Sequence, residues 1–373
     1  MALSLLRHWL GRMQARRAAA PPSPVASPEP AAVPEPAPSI LLPRAPGPMR
    51  VVAISRILDE ADIVEAFLRH TAFYADHHVI LDNGSRDGTI EIIRALKEEG
   101  LNLTVFQNIA VSMNERQFNT RLYHHAATEL QADWVLCLDA DEFIDDRALK
   151  GGLSAALERR MRETPDLLCL TLPYFDYVRE AREAADEPIV PLRMPVRRAR
   201  ANRFRKVFVR APIPDAVIGN GNHTVKLGGT SLPGEPLRGL QLAHYPHRSV
   251  YQMAAKSAKG WAKVQATGPA EINRGTSRHY RPLFEGLRDA PQTYFLADES
   301  APVSDDPRLV ADPIVYRGGP LRYTAAMDER MRALRGMMGY LDDLTARYGQ
   351  LLETLPEARA MNEAWNRDVT RLM

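Results

Sequence analysis

Residues able to do chemistry gather in two places. Asp139, Asp141 and Glu142 follow directly on the apolar run Trp134-Val135-Leu136-Cys137-Leu138. Carboxylates this close repel one another unless a cation sits between them, and hard oxygen ligands suit Mg2+ or Mn2+. Alternation along an extended chain puts Asp139 and Asp141 on one side. The stretch therefore predicts a divalent-metal site holding a phosphorylated substrate. Its plain alternative is an acidic turn after a strand. The second place is Asp82-Asn83-Gly84-Ser85-Arg86-Asp87-Gly88-Thr89. Its carboxylates can accept hydrogen bonds from a base or a ribose, and its glycines let a ligand approach the backbone. It is neither a Gly-x-Gly-x-x-Gly turn nor a phosphate-binding P-loop. Its plain alternative is a turn in which Asp87 or Thr89 caps the next helix.

Both places need strands that end at one sheet edge. A short continuous apolar run such as 134–138 reads as a strand buried on both faces. Similar runs stand at 50–54, 78–81 and 103–106, and helical spacing occupies 63–74, 89–99 and 115–130, with Gly100 as a stop. The order βαβαβαβ predicts an α/β fold with a doubly wound, mostly parallel sheet and helices on both faces. Ligands bind such sheets outside the carboxyl ends of the strands, where both motifs fall. Further on, 149–161 and 250–265 read as helices, and 167–173 and 206–210 as strands.

Three later features invite chemistry. His244, in Ala-His-Tyr-Pro-His-Arg-Ser, and His223, in Gly-Asn-His-Thr, are candidate metal ligands, although a lone histidine is more often a packing residue. From Pro188 to Pro214 eight Arg or Lys residues occur without an acid. That run binds an anionic acceptor or membrane surface, or is a solvated loop. Met327, Met331, Leu334, Met338, Leu341, Tyr348 and Leu352 form a coiled-coil-like stripe, broken at Thr345. Such a stripe dimerises or packs on its own domain, and the break favours packing.

The bulk properties set bounds. The chain has 373 residues, 45% hydrophobic and 25% charged, with net charge +2; this is an ordinary globular composition and names no nucleic-acid partner. Cys137 and Cys169 sit in apolar runs and read as buried hydrophobes in a reducing compartment, with neither a disulfide framework nor a zinc site. The first 17 residues are amphipathic and basic, which suits either a disordered tail or peripheral contact with an anionic membrane. Eleven of the 29 prolines lie between Pro21 and Pro48, a composition that reads as a linker. The expected organisation is a tail and linker over 1–48, a domain over 49–270 and a mostly helical extension over 271–373. The expected location is cytoplasmic, with the inner membrane face as a peripheral site.

Together, the loop Ser55-Arg56-Ile57-Leu58-Asp59-Glu60, the turn 82–89, a helix carrying Asn119 and Arg121, and Asp133-Trp-Val-Leu-Cys-Leu-Asp-Ala-Asp-Glu-Phe-Ile144 resemble the nucleotide-sugar-binding half of a family 2 glycosyltransferase of the GT-A fold. The branch is the one with an Asp-x-Asp-Glu-Phe motif. The resemblance is strong over about 50–150 and weaker over 200–265. It implies a UDP-sugar or related nucleotide diphosphate sugar as donor and a glycan or lipid-linked hydroxyl as acceptor, in bacterial surface glycan or glycolipid synthesis. It further implies inversion and Mn2+ or Mg2+ as cofactor. Residue by residue, Ser55, Arg56, Glu60, Asp82, Asn83, Asp87, Asn119, Arg121, Asp139 and Arg248 would contact the nucleotide sugar. Asp139, Asp141 and His244 would hold the metal. The family's Glu-Asp pair carrying the base is absent. Asp215 stands about where it would fall, with Glu142 and Asp176 as rivals. A nucleotidyltransferase, or a nucleotide-binding scaffold assembling through the C-terminal helix as a homodimer, are the competing readings.

Overall fold

The computed structural model describes residues 48–179, 186–292, 306–324 and 328–367. The amphipathic N-terminus, the linker to residue 47 and Met327 lie outside the described residues. Strands β1 (Val51–Ile57), β2 (His77–Asp82), β3 (Leu103–Gln107) and β4 (Trp134–Cys137) pair in parallel in the order β3-β2-β1-β4. They alternate with α1 (Val64–Thr71), α2 (Thr89–Glu99) and α3 (Glu115–Thr128). The period of two divides each strand between two cores. Val51, Ala53, Trp134 and Leu136 join Phe67, Ile93 and Leu96 of α1 and α2. Val52, Ile54, Val135 and Cys137 join Leu122, Tyr123 and Ala126 of α3. Both faces of the sheet are thus covered, as the continuous apolar runs require.

The chain continues through β5 (Glu142–Asp145), α4 (Gly152–Glu163), β6 (Cys169–Asp176), α5 (Val190–Arg193), β7 (Val196–Arg198) and β8 (Arg205–Arg210). Then come β9 (Val217–Ile218), β10 (Val225–Leu227), β11 (Thr230–Ser231), β12 (Glu235–Pro236) and β13 (Gln241–His244). Strand β8 inserts antiparallel between β4 and β6, and β13 runs parallel to β6 and antiparallel to β5. The result is an α/β architecture: a curled, mostly parallel sheet with flanking helices. One expectation is corrected. The stretch 134–144 is not one strand running into its carboxylates. Strand β4 stops at Cys137, 138–141 is a turn, and Glu142 opens β5. Strand alternation therefore does not place Asp139 and Asp141; the turn does.

Helix α6 (Val250–Thr267) starts at Ser249, whose Oγ accepts the Gln252 amide at 3.1 Å. Helices α7 (Pro269–Arg274) and α8 (Tyr280–Asp289) follow, and β14 (Leu309–Ala311) pairs with β7. A strap over 312–324 then crosses the domain. Buried Glu65 accepts the backbone N–H groups of Arg322, Tyr323 and Thr324 at 2.6–2.8 Å, and Arg317 donates to Asp146 at 3.0 Å. Helix α9 (Glu329–Thr354) and α10 (Pro356–Arg367) end the described chain. The described residues up to Tyr340 form one compact unit, and those from Leu341 onward belong to another. Within the first unit, α9 turns Ala333 and Gly336 inward, while Met331, Leu334 and Met338 of the stripe are about half exposed. The expectation that the stripe packs on its own domain fails here, because the small residues beside it make the close approach. No helix among the described residues is long and apolar enough to cross a membrane.

Candidate active site

The turn 138–141 and the loop after β1 open onto a cavity of about 560 Å3 at the carboxyl ends of β1, β2 and β4. Asp139, Asp141 and Glu142 lie on one wall. Lys256, Lys259 and Lys263 lie on the other, at positions i, i+3 and i+7 of α6, which face one way on a helix.

Each acid is met by a cation. Lys256 Nζ lies 2.6 Å from Asp141 Oδ2. Lys206 Nζ, rising from β8, lies 2.5 Å from Asp139 Oδ2 and 2.7 Å from Glu142 Oε1. Asn222 donates to Asp139 Oδ1 at 3.2 Å, and Lys259 pairs with Asp59. Burial alone would raise Asp141, but Lys256, His244 and Arg248 outweigh it and hold its carboxyl below the ordinary range. Glu142, more deeply buried, goes the other way: burial pushes it up to about 7 against the pull of Lys206.

His244 owes its place to sheet register. In β13 it sits opposite Glu142 of β5 on one side and Asp176 of β6 on the other. Its Nδ1 lies 2.7 Å from Asp176 Oδ1, and its Nε2 faces Asp141 Oδ1 at 3.7 Å. Burial lowers its affinity for a proton, yet Asp141 and Asp176 together raise it above the usual imidazole value.

The other expected residues divide. Arg56, Glu60 and Asp87 line the cavity. Arg56 donates to Glu115 Oε1 at 2.5 Å, and Asp87 accepts the Thr89 amide at 3.0 Å and the Ala61 amide at 3.0 Å. Ser55, Asp82, Asn119 and Arg121 are not on the cavity wall. Ser55 Oγ bonds His78 Nε2 and the Leu138 carbonyl, both at 2.8 Å. Asp82 is fully buried, accepting from the Gly84 and Ser85 amides and from Gln107 Nε2 at 2.9 Å. Asn119 is buried on α3, and Arg121 is exposed on the same helix. Asn83, with its amide turned to donate to the Asn108 carbonyl at 2.8 Å, accepts from Lys263.

Arg248 is not the surface charge its setting in the sequence allowed. It is 2% exposed, clasps Asp62 through Nε (2.6 Å) and Nη2 (3.0 Å), and reaches Glu60. It braces the loop after β1. Asp215 is exposed at a positive φ of 57° and stands off the cavity wall, so of the three candidate bases only Glu142 lines it. Nor are Asp139, Asp141 and His244 brought together: no group of three or more His, Cys, Asp or Glu side chains among the described residues is placed to hold a metal ion. Asp139 pairs instead with Lys206 and Asn222.

Sequence reasoning missed the α6 lysines, although their spacing is helical and was legible. It also missed Lys206, one of eight cations in its run, and the wall formed by Tyr280 of α8 and Arg332 and Ala333 of α9. Gly336 lets α9 come this close, since a Cβ there would stand 2.7 Å from Asp59 Oδ2.

Residues 60–213 match the family model for glycosyl transferase family 2. The match takes in the turn 82–89, Asp139, Asp141, Glu142 and Lys206, and stops before His223, His244 and α6. No curated protein matches the chain. Among solved structures it is similar to a glucosyl-3-phosphoglycerate synthase from Mycobacterium tuberculosis in complex with Mn2+, uridine diphosphate and glucosyl-3-phosphoglycerate, at 17% identity over 34% of this chain and 44% of that one, with a TM-score of 0.23. The chain thus spans less than half of that protein's length. It is also similar to a mannosyltransferase from Pyrobaculum calidifontis in complex with GDP-Man and Mn2+, at 15% identity over 88% of this chain and 90% of that one, with a TM-score of 0.29. Likenesses this distant carry no argument about the site. Over residues 60–213 the chain thus resembles a glycosyl transferase of family 2, which favours that reading over the nucleotidyltransferase and the scaffold.

Proposed function

We propose that the enzyme moves a sugar from a nucleotide diphosphate sugar, with a UDP-sugar favoured, to a hydroxyl of a bacterial surface glycan or glycolipid, with inversion and with Mn2+ or Mg2+ bound. The observation that carries this reading is the pair Asp141 and His244 facing the lysines of α6 across one cavity. An acidic wall suits a divalent cation, and a basic wall suits a diphosphate.

The residues fit such an ion. In the neutral tautomer that donates from Nδ1 to Asp176, His244 would present its Nε2 lone pair beside Asp141, the arrangement by which a carboxylate orients a metal-binding imidazole. Asp141 and His244 would hold the ion; Mg2+ and Mn2+ commonly take one or two protein ligands and complete their shell with phosphate oxygens and water. When bound, the ion supplies charge that offsets the negative charge building on the departing diphosphate. Lys256, Lys259 and Lys263 add to that stabilisation from fixed positions. Glu142 accepts the acceptor hydroxyl's proton as the new glycosidic bond forms and the bond from sugar to diphosphate breaks.

A thermal-shift screen of UDP-, GDP- and dTDP-sugars, with and without Mn2+, tests this. Stabilisation that needs both the metal and one nucleotide, and vanishes in Asp141→Ala, is expected. No stabilisation by any combination would sink the reading.

A further inference from the structure

Glycosyl transfer to an unspecified hydroxyl leaves the basic run unexplained. The structure divides that run sharply. Lys206 points into the cavity, and Arg197 is tied to Asp312 at 2.7 Å and lies over Phe175. Arg200, Arg203 and Arg205 are exposed and pair with no carboxylate among the described residues. Between the last two stands Phe204, 47% exposed, with the Arg203 guanidinium 4.6 Å above its ring.

Phe204 is the outer rung of a series of rings leading to the carboxylates. It stacks on His223 at 5.0 Å and 20°, and His223 lies parallel to Tyr174 at 6.2 Å and 12°. Tyr174 then meets His244 edge-on at 5.4 Å. The last three rings line the cavity. His223 is fixed from both sides: Nδ1 donates to the Arg205 carbonyl at 2.9 Å, and Gly221 leaves room for its ring, since a Cβ there would lie 2.7 Å from Nε2. A half-exposed phenylalanine flanked by arginines that meet no carboxylate among the described residues is an uncomfortable surface in water. It suits a ligand with an apolar face and an anionic group side by side. A pyranose bearing a phosphate or carboxylate has both. A flat lipid surface would not follow rings that turn inward from a rim.

We propose that the turn around Arg200, Arg203 and Arg205 is the acceptor subsite and that the acceptor is an anionic saccharide. Its phosphate or carboxylate pairs with Arg203 and Arg205, its charged sugar lies on Phe204, and the next residue passes His223 and Tyr174 towards Asp141. This rests on the glycosyl-transfer reading above.

The test is calorimetric binding of tetragalacturonate, mannose 6-phosphate, neutral maltotetraose and phosphatidylglycerol vesicles to the full chain. Wild type is compared with Arg203→Ser/Arg205→Ser and with Phe204→Ala, each checked for an unchanged melting temperature. One or both anionic sugars should bind, more weakly at high salt, and both variants should lose about tenfold in affinity, or about 1.4 kcal/mol. Binding of the uronate alone or of the phosphate alone identifies which anion the acceptor carries. Equal binding of maltotetraose, unchanged affinity in the variants, or binding to vesicles alone would overturn the subsite. Binding of UDP-sugars by wild type, measured alongside, is a separate arm: its failure removes the donor reading, whereas failure of the saccharide arm alone removes only this one.

Discussion

Lys256 and Asp141 meet across the cavity at 2.6 Å, although 115 residues separate them in the chain. The ammonium occupies one side of the carboxylate that the proposed metal would use, and His244 faces the other. Lysine and metal would thus compete for Asp141, and a lysine released by the metal would be available to the diphosphate. Lys256→Met is expected to tighten Mn2+ binding in the absence of nucleotide and to weaken UDP binding about tenfold, or about 1.4 kcal/mol. Titration of Mn2+ by paramagnetic resonance and of UDP by calorimetry reads the two effects separately. Movement of both in the same direction would refute the competition.

Glu142 and Asp215 exchange the ranks their places in the sequence suggest. Glu142→Gln should lower kcat by about 10² or more, the usual scale for a lost general base. Asp215→Ala, on an exposed turn away from the cavity, should leave kcat within about twofold, since surface changes rarely cost more than about 0.5 kcal/mol. Steady-state turnover of the two variants decides between them.

Lys263 is expected to link nucleotide binding to pH. Burial, aided by Arg56 and Lys259, pushes its ammonium down to about 7 against the weaker pull of Asp59 and Glu115. Asn83 accepts from its Nζ. Above about pH 7 the free protein holds this lysine increasingly neutral. A bound diphosphate favours the charged form, so binding near pH 8 should take up a proton. Calorimetry of UDP in buffers of different ionisation enthalpy measures that uptake, and Lys263→Met should abolish it.

Glu65 ties the strap over 320–324 to α1. Burial alone would raise its carboxyl, but the three backbone N–H groups it accepts bring it below its ordinary value of 4.5. A depressed carboxylate contributes stability that is present above its unfolded value and lost as pH falls through the folded one. Acid should therefore loosen the strap below about pH 4.5. Glu65→Gln should flatten that dependence, cost about 2 kcal/mol or more at neutral pH, and speed hydrogen exchange at Arg322, Tyr323 and Thr324.

Much of this protein is determined by local sequence. Continuous apolar runs separated by helical spacing dictate a sheet covered on both faces, because such strands find no other way to leave water. The turns after β2 and β4 lie at the sheet edge where the cavity opens. Asp141 and His244 were legible as candidate ligands, with an acidic turn and a packing histidine as their plain alternatives. Tertiary structure alone decided which charges meet. The sequence does not reveal that Lys206 pairs with Asp139, that Arg248 is spent on Asp62 and Glu60, or that Asp82 is sealed by its own turn. Each of those outcomes depends on strand register and on the burial of a charge, which forces it to find a partner across the fold. The α6 lysines lie between the two cases. Their spacing marks a helical face, and only the packing of that helix over the carboxyl ends of β1 and β4 makes the face a wall of the site.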